Sequence, residues 1–209
     1  MTCTTWTIEA MTPRGDIGLA PPLAARETVV TLPDFLSAEE CARLTAFGES
    51  EGMAPGRLTG GVMVSGIRSA STLWLDDDTL LWFTDRMIEG LALLNRRWFD
   101  FALMGFDEGF QLLRYDGAAE SGDFYDWHID IGRKGLNASR KLSLVLQLSD
   151  PADYEGGTLE VNADGTPAAQ PLARGSLTAF PSYVLHRVAP VTSGRRYSLA
   201  AWAHGPAFR

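Results

Sequence analysis

Apolar residues in the first hundred positions recur at intervals of three and four, and beyond residue 100 they recur at two. "SAEECARLTAFGE", Ser37 to Glu49, puts Cys41, Leu44 and Phe47 on one helical face. Ser37 and Glu40 have the spacing of a capping box, in which each side chain bonds the other's free backbone N–H. "DDDTLLWFTDRMIEGLALLNRRW" repeats the helical pattern with Leu80, Phe83, Met87, Leu91 and Leu94, and its leading acids and trailing arginines complement the helix dipole. Asp76 to Asp78 read there as a cap and a solvated turn, not as a metal cluster. A short strand in "ETVVTLPDFL" precedes the first helix. From residue 99 onward, "FDFALMGF", "GFQLLRYD", "DFYDWHIDI", "RKLSLVLQLS", "GGTLEV", "GSLTAF", "VLHRVAPV" and "RRYSLAAWA" follow one another between turn residues. Eight short strands so spaced predict a sandwich or barrel, with the two helices covering one sheet: a mainly β, α+β protein.

The rest of the chain is less regular. Residues 1–26 mix Thr, Pro, Gly and Ala without a period and read as a flexible, surface-draped N-terminal leader, leaving residues 27–209 as a single domain. The Gly-rich stretch across residues 51–71 is a candidate moving lid. A length of 209 residues suits one substantial core. The formal net charge of -8 argues against a phosphate backbone as partner. Cys3 and Cys41 lie far apart without metal-ligand spacing, which fits a reducing compartment. No run of eighteen apolar residues suggests a membrane span, so a cytoplasmic location is expected.

Candidate chemistry concentrates in "FYDWHIDIG", Phe124 to Gly132. Residues two apart on a strand share a face, so His128 can act with Asp126 or with Asp130. His-x-Asp is weak alone: 3 histidines and 15 aspartates in 209 residues give about 0.2 chance occurrences. His186 in "VLHRVAPV" offers a second imidazole, and two histidines with one carboxylate make a ligand set suited to Fe(II) that leaves positions open. Ten residues on, Arg196 presents a fork for a carboxylate, with Ser198 on the same strand face. An arginine inside a barrel needs an anionic partner, which a bound dicarboxylate would supply. His204 is not expected to be a ligand.

The order His128-x-Asp130, "EGGTLEV" and "LHRVAPVTSGRRYSLAAW" resembles the Fe(II)/2-oxoglutarate-dependent dioxygenases, most closely their prolyl 4-hydroxylase-like branch. "PDFLSAEECARL" and "IRSASTLWL" extend the resemblance, which spans about residues 28 to 203. It implies a double-stranded β-helix (jelly roll) with the two N-terminal helices packed on the major sheet. It implies His128, Asp130 and His186 as iron ligands, selecting Asp130 and leaving Asp126 a role behind the ligands. Arg196, helped by Ser198, would pair with the distal carboxylate of 2-oxoglutarate. Tyr115 matches a tyrosine that bonds the cosubstrate, and Ser143 falls where relatives carry a threonine in the same pocket. Gln147, a further candidate cosubstrate contact, stands where many protein prolyl hydroxylases have tyrosine, a departure that weakens inference about the substrate. Trp127, Arg68 and Trp202 are candidate substrate contacts. The implied reaction consumes O2 and 2-oxoglutarate, with ascorbate a candidate reductant, releases succinate and CO2, and hydroxylates an aliphatic C–H of a prolyl or other amino-acid residue. Competing expectations are a free amino acid or natural product as substrate, a non-catalytic ligand-binding sandwich, and a zinc hydrolase built on the same ligands.

Overall fold

In the computed structural model, which describes residues 27–55, 67–76, 80–120 and 122–208, the chain opens with β1 (Val30–Leu32), α1 (Ala38–Glu51), β2 (Ala54–Pro55), β3 (Arg68–Ser69), β4 (Ser71–Leu75) and α2 (Leu81–Leu94). The strand-rich part follows: β5 (Phe110–Asp116), β6 (Phe124–His128), β7 (Arg140–Gln147), β8 (Tyr154–Gly156), β9 (Leu159–Asn162), β10 (Ala168–Ala169), β11 (Leu177–Pro181), β12 (Leu185–Val188) and β13 (Val191–His204). A major sheet has the order β1-β11-β7-β13-β5-β4-β2, with β8 paired to β13, and a minor sheet the order β10-β9-β12-β6-β3. The paired strands run antiparallel in both. Two such sheets with two helices are the jelly-roll architecture.

Period-two alternation sets the layers. On β7, Leu142, Leu144 and Leu146 join the core between the major sheet and the helices, while Val145 packs against the second core, between the sheets. β13 divides likewise, Leu199, Ala201 and Ala203 on the helix side and Ala200 on the inter-sheet side. Along Leu142–Leu146 and Ser198–Ala203 these strands are covered on both faces and read as near-continuous apolar runs, in which Ser143 and Ser198 are the polar exceptions. Those exceptions build the site.

The helices form for local reasons. Ser37 Oγ accepts from Glu40 N (3.1 Å) and Glu40 Oε2 accepts from Ser37 N (2.8 Å), which closes the capping box of α1. Cys41 and Leu44 are buried, whereas Phe47 is only partly so, and Gly48 takes the tightest position against the sheet. Phe83, Met87, Leu91 and Leu94 carry the buried face of α2, with Leu80 as its N-cap residue. Arg96 and Arg97 lie in a wider turn, Asn95–Phe99, that prolongs the helix.

Two expectations are corrected. "FDFALMGF" is not a strand: Asp100 takes a left-handed φ of 56°, and only Gly105 bridges to a strand residue, His204. Asn95 holds this stretch through two side-chain bonds of 2.9 Å to the backbone of Phe101. Its aromatics pack ring to ring, Phe99 on Phe101 and Phe106 on Phe110. The apolar alternation there records side-chain burial without a ladder partner. The acids expected at the start of α2 are absent from its first turn; Asp77 and Asp78, like the leader and residues 56–66 of the Gly-rich loop, lie outside the described residues.

Candidate active site

Between the two sheets a cavity, partly open to solvent, is lined by residues that include His128, Asp130, Ser143, Tyr115, Ser198, His186 and Trp202. His128 ends β6 and faces His186 across the β6–β12 pair, where the two are in register. Asp130 follows the end of that strand and reaches back: its Oδ1 lies 3.6 Å from His128 Nε2 and its Oδ2 3.3 Å from His186 Nε2. One donor atom from each residue falls within 4.8 Å of the others, a cluster able to hold a metal ion.

Backbone carbonyls orient both rings. His128 Nδ1 donates to the Asp126 carbonyl at 2.7 Å and His186 Nδ1 to the Val184 carbonyl at 2.9 Å. A carbonyl can only accept, so the proton sits on Nδ1 and, in the neutral ring, the Nε2 lone pair points inward. Burial, joined by neighbouring His186, pushes the His128 pKa down to about 4 despite the pull of Asp130, so this ring is neutral at neutral pH. Burial pushes the other two groups toward their neutral forms, yet their mutual attraction wins: the Asp130 carboxyl is held well below its usual range and His186 is raised. A metal ligand must be a neutral imidazole, so any proton that Asp130 draws onto His186 is released when a divalent cation binds.

Asp130 is held from behind. Its backbone N–H and that of Ile131 donate to the Ser182 carbonyl at 2.9 and 3.0 Å. Ser143 Oγ donates to Asp130 Oδ2 at 2.7 Å and lies 3.0 Å from Ser182 Oγ. One hydroxyl has one proton, so the relay runs from Ser182 to Ser143 to Asp130. Ser143 therefore touches the carboxylate directly. Ser182 gave no signal in the sequence.

Asp126 behaves differently from the period-two expectation. Register slips between His186–His128 and Val188–Tyr125, three steps on β6 against two on β12. This bulge brings Tyr125 and His128 to one face, stacked at 3.5 Å and 10°. The Asp126 side chain is exposed, its Oδ1 accepting from Trp127 N at 2.8 Å, and its carbonyl alone serves the site.

Arg196 lies behind Ser198 and Tyr115, 1% exposed. Its Nη1 donates to Ser198 Oγ at 3.3 Å, its guanidinium lies 5.3 Å from the Tyr115 ring, and its Nε is buried without a partner. Gly157 makes room for it. At φ +62° that residue is in the left-handed region, and a Cβ there would fall 2.9 Å from Arg196 Cδ. Tyr115 is fully buried, which raises its phenol pKa against the opposing effect of Arg196.

The remaining candidates divide. Trp202 lines the cavity, its ring 3.8 Å from the Arg140 guanidinium and 5.9 Å from Trp74. Arg68 sits on the Tyr125 side, 5.2 Å from that ring. Trp127 packs beneath Arg187 at 4.9 Å, away from the cavity-lining set. Gln147 donates to Tyr154 Oη at 2.8 Å, beyond that set as well. Gln111, a polar residue not singled out in the sequence, does line it; a lone amide in the apolar run "FQLL" was the available signal.

Fold and cluster define a jelly roll with a two-histidine, one-carboxylate centre between its sheets. A family model, "2OG-Fe(II) oxygenase superfamily", matches residues 110–204. Over 84 residues, 39% of this chain and 38% of the relative, the sequence is 40% identical to a PKHD-type hydroxylase of Hyphomonas neptunium. It is 30% identical to one from Shewanella sp. (strain MR-7) over 83% of this chain and 77% of that protein. Among solved structures, a Pseudomonas putida prolyl-4-hydroxylase matches with TM-score 0.68 and 24% identity, covering 88% of this chain and 96% of that one. A Trichoplax adhaerens prolyl hydroxylase, solved with a hypoxia inducible factor peptide, matches with TM-score 0.70 and 19% identity over 85% and 83%. The chain belongs to the 2OG-Fe(II) oxygenase superfamily, with PKHD-type hydroxylases as relatives and the fold of the two prolyl hydroxylases, and is a 2-oxoglutarate-dependent dioxygenase.

Proposed function

We propose that this enzyme hydroxylates an aliphatic C–H of a prolyl or other amino-acid residue within a polypeptide, forming succinate and CO2. His128, Asp130 and His186 would hold Fe(II); two imidazoles and one carboxylate suit that ion, and their donor atoms lie within 4.8 Å of one another. Bound iron supplies O2 activation coupled to decarboxylation of 2-oxoglutarate. The chain's own residues bind and orient. Arg196 takes the distal carboxylate of the cosubstrate with Ser198 and Tyr115 beside it, while Ser143 fixes the Asp130 carboxylate. Leu113, Val145, Leu159 and Val188 exclude water from the space between.

One observation carries the reading: a guanidinium 1% exposed that meets hydroxyls, donating to Ser198 Oγ beside the Tyr115 phenol, with its Nε buried and orphaned. Among the described residues no carboxylate pairs with it. A buried unpaired charge is costly, so the site expects an anion. A polypeptide substrate is supported by the peptide held by the Trichoplax adhaerens enzyme, and Trp202 gives an apolar wall for a ring or side chain. The test supplies Fe(II), 2-oxoglutarate and ascorbate to the purified protein, with proline-containing peptides and free amino acids in parallel. Succinate and a +16 product should appear with a peptide and vanish in H128A. Turnover of free amino acids alone would reassign the substrate, and no succinate above H128A with either panel would overturn the reading.

A further inference from the structure

A second buried cluster touches the same centre from outside. Where β5 and β7 begin and β13 ends, Glu108, Ser139, Arg140 and His204 converge. The Arg140 guanidinium forms a two-pronged pair with Glu108, Nε to Oε1 at 2.5 Å and Nη2 to Oε2 at 2.6 Å. Its Nη1 donates to the Asp130 carbonyl at 3.3 Å, and its face lies 3.8 Å from the Trp202 ring. His204, 0% exposed, contacts Glu108 Oε1 through Nε2 at 3.0 Å and Ser139 Oγ through Nδ1 at 2.9 Å. Backbone bonds between His204 and residues 104–105, each 2.8 Å, tie in the segment that carries Glu108.

Such a cluster is a poor device for stability alone, since well-packed apolar residues of the same volume do as well or better. It does what an apolar plug cannot. The carboxylate fork fixes the guanidinium plane, that plane supports the Trp202 indole, and the remaining N–H holds the backbone of the residue that carries the centre's only carboxylate. We propose that Glu108 and His204 are positioning residues for the metal centre, acting through Arg140 to set the orientation of Asp130 and of the Trp202 wall. This rests on the metal reading above. Burial pushes the Glu108 carboxyl up, but bonds from His204 and Arg140 outweigh it and hold the group below its ordinary value, so the fork is charged at neutral pH.

Co(II), a metal whose visible spectrum reports coordination geometry, tests this without turnover. Wild type, E108Q, R140K, the E108Q/R140K double variant and D107N are titrated with Co(II), and affinity, spectrum and Tm are recorded. E108Q and R140K should each bind about tenfold more weakly or worse, in line with other groups that orient metal ligands, and with an altered spectrum. The double variant should be no weaker than the worse single, because both break one link. D107N, a 40% exposed carboxylate 4.0 Å from His204, should match wild type. A structural role alone would lower Tm and leave affinity and spectrum of the folded protein unchanged; that result, or additive losses, overturns the proposal. Should E108Q fail to fold, H204Q, which leaves the fork in place, must show the same change in spectrum. Wild type that binds no Co(II) would sink the metal reading itself, and with it this one.

Discussion

At His128, a backbone carbonyl decides the chemistry more than any neighbouring acid. The Asp126 carbonyl fixes the tautomer, and the Asp126 carboxylate is turned out to solvent by the bulge and bonded to Trp127 N. D126N should therefore keep divalent-metal binding, whereas D130N should lose it by at least tenfold in a calorimetric titration. Loss in D126N with retention in D130N would reverse the assignment. Arg196 allows an equally sharp separation. R196A should weaken 2-oxoglutarate binding by about tenfold or more, the worth of a charged hydrogen-bonded contact, while metal affinity stays within about twofold; equal 2-oxoglutarate affinities would remove Arg196 from the site. Sequence made the three donor residues and Arg196 visible because few side-chain types combine these properties. Strand periodicity by itself left Asp126 and Asp130 equivalent, and only the family resemblance chose Asp130, because a bulge changes the period locally without a residue signature. Ser182 stayed hidden for a related reason: its carbonyl does half of its work, and every residue has one.

Among elements, the helix–sheet contact shows where packing overrules propensity. Gly48 lies inside α1, where alanine would ordinarily gain about 1 kcal/mol. A Cβ there would sit 2.3 Å from Cδ2 of Leu112, a fully buried side chain of β5. Overpacking costs about 1–3 kcal/mol, so G48A should lower stability in chemical denaturation. G90A in α2 is the contrast. Its Cβ would meet the ring edge of Phe35 at 2.6 Å, but Phe35 is only partly buried, so that ring has more room to shift than Leu112. G90A should be near neutral or mildly stabilising, and the opposite ranking would show that the two helices are held differently from this description. Both helices were legible from their three-and-four spacing and the α1 capping box. The close approach at Gly48 was not, because a glycine in a helical pattern shows no more than a weak position. The same limit explains residues 99–106: alternation reports which side chains are buried, and a strand also needs a neighbour with free N–H and C=O groups.

The centre draws its donors from two strands of the minor sheet and the turn after one of them, while the carboxylate is steadied by Ser143 of the major sheet. Metal binding thus links parts of the chain that only the folded state brings together. The unfolded chain, with 3 histidines in 209 residues, offers little competition. Linkage then gives about 2.7 kcal/mol of added stability at a metal concentration one hundred times the dissociation constant. For a domain of this size each kcal/mol is worth about 2–4 °C, so saturating Mn(II) should raise Tm by about 5–10 °C and a chelator should reverse the rise. H128A and D130N should show little or no shift. With Mn(II) present, 2-oxoglutarate should add a further increment in wild type and not in R196A, because the cosubstrate needs both the metal and the buried guanidinium. A metal-independent Tm would mean that the three donors are paired for structure alone. An increment from 2-oxoglutarate that survives in R196A would place its distal carboxylate elsewhere in the cavity.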